Sequence, residues 1–128
     1  MRRIGKFPCG TGLMRRGEIR LVDFEPVLGS EANKRRPAVI VSNDRGNTAA
    51  LTYGRGVITV IPLTTNVAQV YPFQTLLEAD TTGLTRDSKA QAEQIRSVAL
   101  ERLGPVIGRL PAAEMVRLEE ALRHHLQL

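Results

Sequence analysis

Arg36 stands immediately before Pro37, where a polar loop gives way to the apolar run Ala38-Val39-Ile40-Val41. Steric conflict with the proline ring holds Arg36 in an extended backbone conformation, so its side chain is offered from a fixed strand entrance. A planar, permanently charged fork held in this way suits a phosphodiester: it can clamp the group and stabilise charge building on its oxygens. The competing reading is a rim arginine paired with Glu31 or Asp44. Glu31, Lys34 and Arg35 share its loop, Asn43 follows the apolar run, and Thr64 and Thr65 leave a second run, Val57-Ile58-Thr59-Val60-Ile61-Pro62-Leu63. Taken singly these have plain structural readings, Thr64 as a strand threonine and Glu31 as a solvated acid, while Glu93 and Gln94 either line a site or end a strand. Their force is as a set.

Other chemistries find little support. His124 and His125 are adjacent, so on a helix they point about 100° apart and cannot share one ion as an i, i+4 pair could. CxxC, HExxH and DxDxD spacings are absent, and no metal or other cofactor is expected. Cys9 lies in an N-terminal tail and the serines and threonines have no matching histidine, which leaves no nucleophilic triad. Gly54-Arg55-Gly56 lacks the third glycine and the following helix of a dinucleotide loop.

Length and composition set the frame. The 128 residues suffice for one core, and 42% hydrophobic with 24% charged residues is ordinary for a globular chain. No apolar run approaches the roughly 20 residues that span a bilayer, and the first dozen residues lack the apolar centre of a signal peptide. A lone cysteine permits no internal disulfide, in keeping with a reducing compartment, and a cytoplasmic protein is expected. Arg2, Arg3 and Lys6 carry +3 of the net +5, leaving +2 from Met14 onward. Bulk basicity therefore says little about nucleic acid, whereas the local cluster Lys34-Arg35-Arg36 says more.

The elements that must position these residues are mostly strands. Residues 1–13 lack periodicity, and Met14-Arg15-Arg16-Gly17 repeats the opening Met1-Arg2-Arg3. That stretch reads as a disordered extension or an over-early start, with a single domain over 14–128. Glu18 to Phe24 alternates as a half-buried strand, and a loop of about ten residues follows. Pro37 to Asn43 reads as a central strand buried on both faces. Asp44 to Gly56, with three glycines, reads as a second long mobile loop. In the strand Val57–Leu63, Pro62 predicts an edge or a bulge. Tyr71 to Leu77 is expected to be another strand, Thr81 to Leu84 a turn, Ser88 to Ser97 chiefly extended, Ala99 to Leu103 one helical turn, and Val106 to Leu110 a last strand. From Pro111 the period changes: Met115, Leu118, Leu122 and Leu126 form one stripe of an amphipathic helix. About six strands and one main helix result, either α+β or a small barrel capped by a helix.

An ordered series of short motifs then adds what spacing alone does not. Arg15-Arg16-Gly17-Glu18-Ile19, Val22-Asp23-Phe24-Glu25-Pro26, Gly29-Ser30-Glu31, Arg36-Pro37-Ala38-Val39-Ile40-Val41-Ser42-Asn43, Pro62-Leu63-Thr64-Thr65-Asn66, Tyr71-Pro72-Phe73 and Ala92-Glu93-Gln94-Ile95-Arg96-Ser97 closely resemble the MazF/PemK family of toxins. The resemblance implies a PemK-like, SH3-like β-barrel with a C-terminal helix, a homodimer, and a metal-independent, sequence-specific endoribonuclease. It further implies single-stranded RNA bound along the dimer groove and a small MazE-like antitoxin as partner. By position it makes Arg36 and Thr64 the catalytic pair, and Glu31, Asn43 and Gln94 RNA-lining residues. Lys34 and Arg35 would steer backbone phosphates, and Thr65 is counted with the RNA-binding residues. The 2′-hydroxyl of RNA would then be the nucleophile, giving a 2′,3′-cyclic phosphate and a 5′-hydroxyl. A guanidinium is an awkward general base, which leaves the proton carriers open. Two alternatives stand beside this one: a gyrase-binding toxin of the CcdB type on the same fold, whose Trp-Gly-Ile terminus this tryptophan-free chain lacks, and an RNA-binding barrel without catalysis.

Overall fold

The computed structural model describes residues 14–24 and 35–128. Readings placed on residues 1–13, Cys9 among them, and on 25–34, including Glu31 and Lys34, lie outside the described residues. The elements in chain order are β1 (Glu18–Asp23), β2 (Arg35–Ile40), α1 (Asp44–Tyr53), β3 (Val57–Thr64), β4 (Gln74–Leu77), α2 (Ala79–Thr82), β5 (Ser88–Gln91), β6 (Arg96–Ala99), β7 (Leu103–Arg109) and α3 (Ala112–Leu126). Single 3-10 turns occupy Ala92–Gln94 and Leu100–Arg102.

The seven strands form one antiparallel sheet in the order β4-β5-β3-β2-β1-β7, with β6 also on β3. β3 is the hub. One edge pairs with β2, Ala38 against Pro62 through Ile40 against Val60. The other edge pairs with β6 over Val57–Val60 and with β5 at Leu63 and Thr64. Pro62 thus needs neither an outer edge nor a bulge: it sits where β6 has ended and β5 has not begun, a break in the ladder that tolerates a residue without an N–H.

Continuous apolarity in β2 and β3 follows from two cores, one on each face. Ala38 and Ile40 join Val22, Ile58, Val60, Val98 and Leu103 in the first. Val39 joins Ile19, Ile61, Leu63, Leu77, Leu118 and Ala121 in the second, which α3 covers. Alternate side chains of a strand point to opposite faces, so a strand with a core on both sides has no polar positions to spare. In α3, Leu118 and Ala121 are buried and Met115 and Leu122 partly so, but Leu126 is exposed. The apolar stripe therefore stops a turn earlier than the periodicity predicts, and Ala121 and Glu114 take buried positions instead.

The expected mobile loop at Asp44–Gly56 is instead a helix. Asn43 caps α1 by accepting from the Gly46 N–H at 2.7 Å, and Gly54 ends it in the left-handed region at φ 71. The helix buries only Asn47 and Ala50, with Leu51 partly buried against the first core, too little apolar surface to register as a period. Asn47, fully buried, donates to Ser42 O at 3.0 Å and accepts from the Ser42 hydroxyl at 2.6 Å, and that same hydroxyl accepts from Thr59 N–H at 3.2 Å. Asn47→Ala removes both hydrogen bonds to half-buried Ser42, and a loss of about 1–3 kcal/mol in urea unfolding is expected. An unchanged midpoint would show the network to be dispensable.

A second correction concerns Tyr71 to Leu77. Only Gln74–Leu77 is strand; Tyr71-Pro72-Phe73-Gln74 is a tight turn closed by Gln74 N–H donating to Tyr71 O at 2.8 Å. Pro72 fills the position where a fixed φ favours such a turn. Thr81 and Thr82 belong to the single helical turn α2, which Gly83 ends at φ 86.

Candidate active site

Arg36 and Thr64 come from neighbouring strands. Extending the β2–β3 register two residues beyond Ala38–Pro62 sets Arg36 opposite Thr64, and opposed residues share a face of the sheet. The ladder stops before reaching them. A proline stands on each strand at the point of parting, Pro37 on β2 and Pro62 on β3, and neither has an N–H to close the gap. The strands open into a cleft of about 200 Å³ lined by Arg36, Pro37, Leu63, Thr64, Thr65 and Ser88.

Both polar groups keep hydrogen-bonding capacity that the described chain does not use. Arg36 is exposed, and its Nη2 donates to Leu63 O at 3.4 Å, a long bond. Among the described residues it forms no ion pair. Asp44, one partner considered for it, accepts from the Arg16 backbone N–H at 2.7 Å beyond the far end of β2. Thr64 is half-buried, and its Oγ1 accepts from Asn66 N–H at 3.2 Å. A hydroxyl is one donor and two acceptors, and the Thr64 proton meets no acceptor among the described residues. Among the described residues, the cleft lining offers a guanidinium fork and a hydroxyl proton without a carboxylate, an arrangement suited to a tetrahedral anion.

The remaining expected residues fall in different places. Thr65 lines the cleft, and Arg35, exposed and next to Arg36 in sequence, opposes Asp23 of β1. Asn43 is the cap of α1, beyond the opposite end of β2 from Arg36. Gln94 is exposed on the 3-10 turn between β5 and β6 and is outside the cleft lining. Glu31 and Lys34 lie outside the described residues. Two neighbours had no sequence signal at all: Ser88, in the cleft wall, and Lys89, the register partner of Thr64. Only the pairing of β5 with the end of β3 brings them there.

The site thus lies where β2 and β3 part at one end of a small antiparallel sheet that α3 covers. The chain belongs to the PemK-like, MazF-like toxins of type II toxin-antitoxin systems, whose family model matches residues 15–126. It is 65% identical over 116 residues to the endoribonuclease MazF9 of Mycobacterium tuberculosis, covering 91% of this chain and 98% of that one. With the endoribonuclease EndoA of Bacillus subtilis it shares 32% identity over 116 residues, covering 91% and 97%. The fold is similar to a solved MazE–MazF structure from Deinococcus radiodurans, with TM-score 0.73 and 24% identity over 91% of this chain and 97% of that one. It is also similar to a mycobacterial endoribonuclease solved with its cognate antitoxin, with TM-score 0.71 and 24% identity over 90% and 96%.

Proposed function

We propose that this protein is the toxin of a type II toxin-antitoxin pair, an endoribonuclease that cuts single-stranded RNA in the cytoplasm. Residues 14–128 form its one working domain, it acts as a homodimer, and a MazE-like antitoxin neutralises it. The observation that carries the chemistry is the register that sets Arg36 against Thr64 across the parted ends of β2 and β3.

RNA brings its own nucleophile. The 2′ oxygen gives up its proton and bonds to the adjacent phosphorus, the bond from phosphorus to the 5′ oxygen breaks, and that oxygen takes a proton. The products are a 2′,3′-cyclic phosphate and a 5′-hydroxyl. Arg36 has N–H groups to spare for the non-bridging oxygens as their charge grows, and Thr64 turns its free proton to one of them. No side chain attacks phosphorus and no metal is needed. Arg35 and Thr65 hold flanking phosphates, and the remaining RNA-lining positions are Glu31, Lys34, Asn43 and Gln94.

Purified protein incubated with EDTA should cut a single-stranded transcript at discrete positions. Thr64→Ala should slow the cut roughly 10- to 100-fold, the worth of one hydrogen bond to a charged group, while Thr64→Ser retains most of the rate. Intact RNA after incubation with folded wild-type protein would refute the assignment and favour a gyrase-binding toxin. A Thr64→Ala protein that cuts at the wild-type rate would remove that residue from the chemistry.

A further inference from the structure

Beside the cleft stands an aromatic group that cleavage at phosphorus does not use. Tyr71 is 45% exposed, and its ring lies parallel to that of Phe73, with centroids 5.4 Å apart and planes 7° from each other. The backbone under it is fixed from both sides: Tyr71 N–H donates to Gln74 Oε1 at 3.2 Å, and Gln74 N–H donates to Tyr71 O at 2.8 Å. Gln74, itself buried, is anchored in turn by donating to Glu93 at 2.8 Å.

The link to the cleft is Lys89. It is the cross-strand partner of Thr64, so the two side chains leave the same face of the sheet. Its ammonium, on a side chain that is almost wholly buried, lies 5.7 Å from the Tyr71 ring centroid and donates to Gln69 O at 2.5 Å. Arg36, Thr64 and Lys89 thus form one row across β2, β3 and β5, with Tyr71 at its end. An amphipathic ring held this rigidly, half open to water and next to a phosphate cleft, matches the stacking platforms by which proteins hold unpaired bases.

We propose that Tyr71 stacks on the base of a nucleotide flanking the scissile phosphate, and that this contact aligns the strand in the cleft. The inference rests on the endoribonuclease reading above. Every base has a π-face, so the platform contributes affinity with little base preference.

The test begins by mapping the strongest cut in a single-stranded transcript. A short RNA spanning that site is then made with a 2′-deoxyribose at the cut nucleotide and 2-aminopurine at each flanking position in turn. Wild type and Tyr71→Phe should quench 2-aminopurine at one flanking position. Tyr71→Ala and Tyr71→Leu should abolish that quench, weaken binding about tenfold or more, and raise KM on the cleavable RNA with kcat nearly unchanged. If both variants keep wild-type KM and quenching at every position, the platform is refuted and the nuclease assignment stands. If wild type leaves the transcript uncut, both fall together.

Discussion

Arg36→Ala should reduce cleavage of a single-stranded transcript by about a hundred- to a thousandfold, the usual cost of removing one preorganised donor from developing negative charge. The side chain is exposed, and its one bond within the described chain, to Leu63 O, is long. Folding should therefore be almost untouched, with a melting temperature within about 2 °C of wild type. The pairing of lost activity with retained stability is the informative result. Arg36→Lys separates charge from shape: it keeps the positive charge but not the planar fork that meets two phosphate oxygens at once, so an intermediate rate is expected. A full rate in Arg36→Lys would mean that charge alone suffices, and a near-normal rate in Arg36→Ala would remove this arginine from the reaction.

Ile61→Ala should have the largest effect on stability, roughly 2–5 kcal/mol. Ile61 has no exposed surface, opposes Val39 across the β2–β3 ladder, and joins the core that α3 covers through Leu118 and Ala121. It also sits at the point where β3 passes from β6 to β5, so few neighbouring strands can close over the cavity. A loss of that size is a large share of the 5–15 kcal/mol typical of a domain, and should lower the melting temperature by roughly 10–20 °C. Val116→Ala on the outer face of α3, where the residue is 56% exposed, serves as control and should stay within about 0.5 kcal/mol. Equal melting temperatures for the two variants would show that the second core does not hold the sheet.

What the sequence revealed follows from where apolar surface is dense. β2 and β3 are covered on both faces, so their runs are unbroken and readable, and α3 showed its period because a core lies under it. α1 was hidden for the opposite reason. It buries one asparagine and one alanine, and is held by the Asn43 cap and the Ser42–Asn47 hydrogen bonds, none of which leaves a hydrophobic pattern. Tyr71-Pro72-Phe73 passed for strand because alternation cannot distinguish a β-turn from its flank.

The candidate site was legible in residue type and illegible in geometry. Arg36 before Pro37 announces a fixed cation, and Thr64 follows an apolar strand, but nothing local says that the two face each other. That depends on the β2–β3 register. Pro62, read as an edge or bulge, is better understood with Pro37 as one of two residues that stop the ladder and open the cleft. Ser88 and Lys89 become neighbours of the site only through β5, and Asn43, whatever it does toward RNA, is first a helix cap.

Attack by the substrate's own 2′-hydroxyl on the phosphorus held by Arg36 and Thr64 is tested most directly by a single 2′-deoxy substitution. Two RNAs differing only in the sugar immediately 5′ to a mapped cut should behave oppositely with the wild-type enzyme. The all-ribose strand should yield a 5′-hydroxyl fragment, and the substituted strand should stay whole at that position while still being cut elsewhere. Cleavage continuing at the deoxy position, or fragments bearing 5′-phosphates, would contradict it.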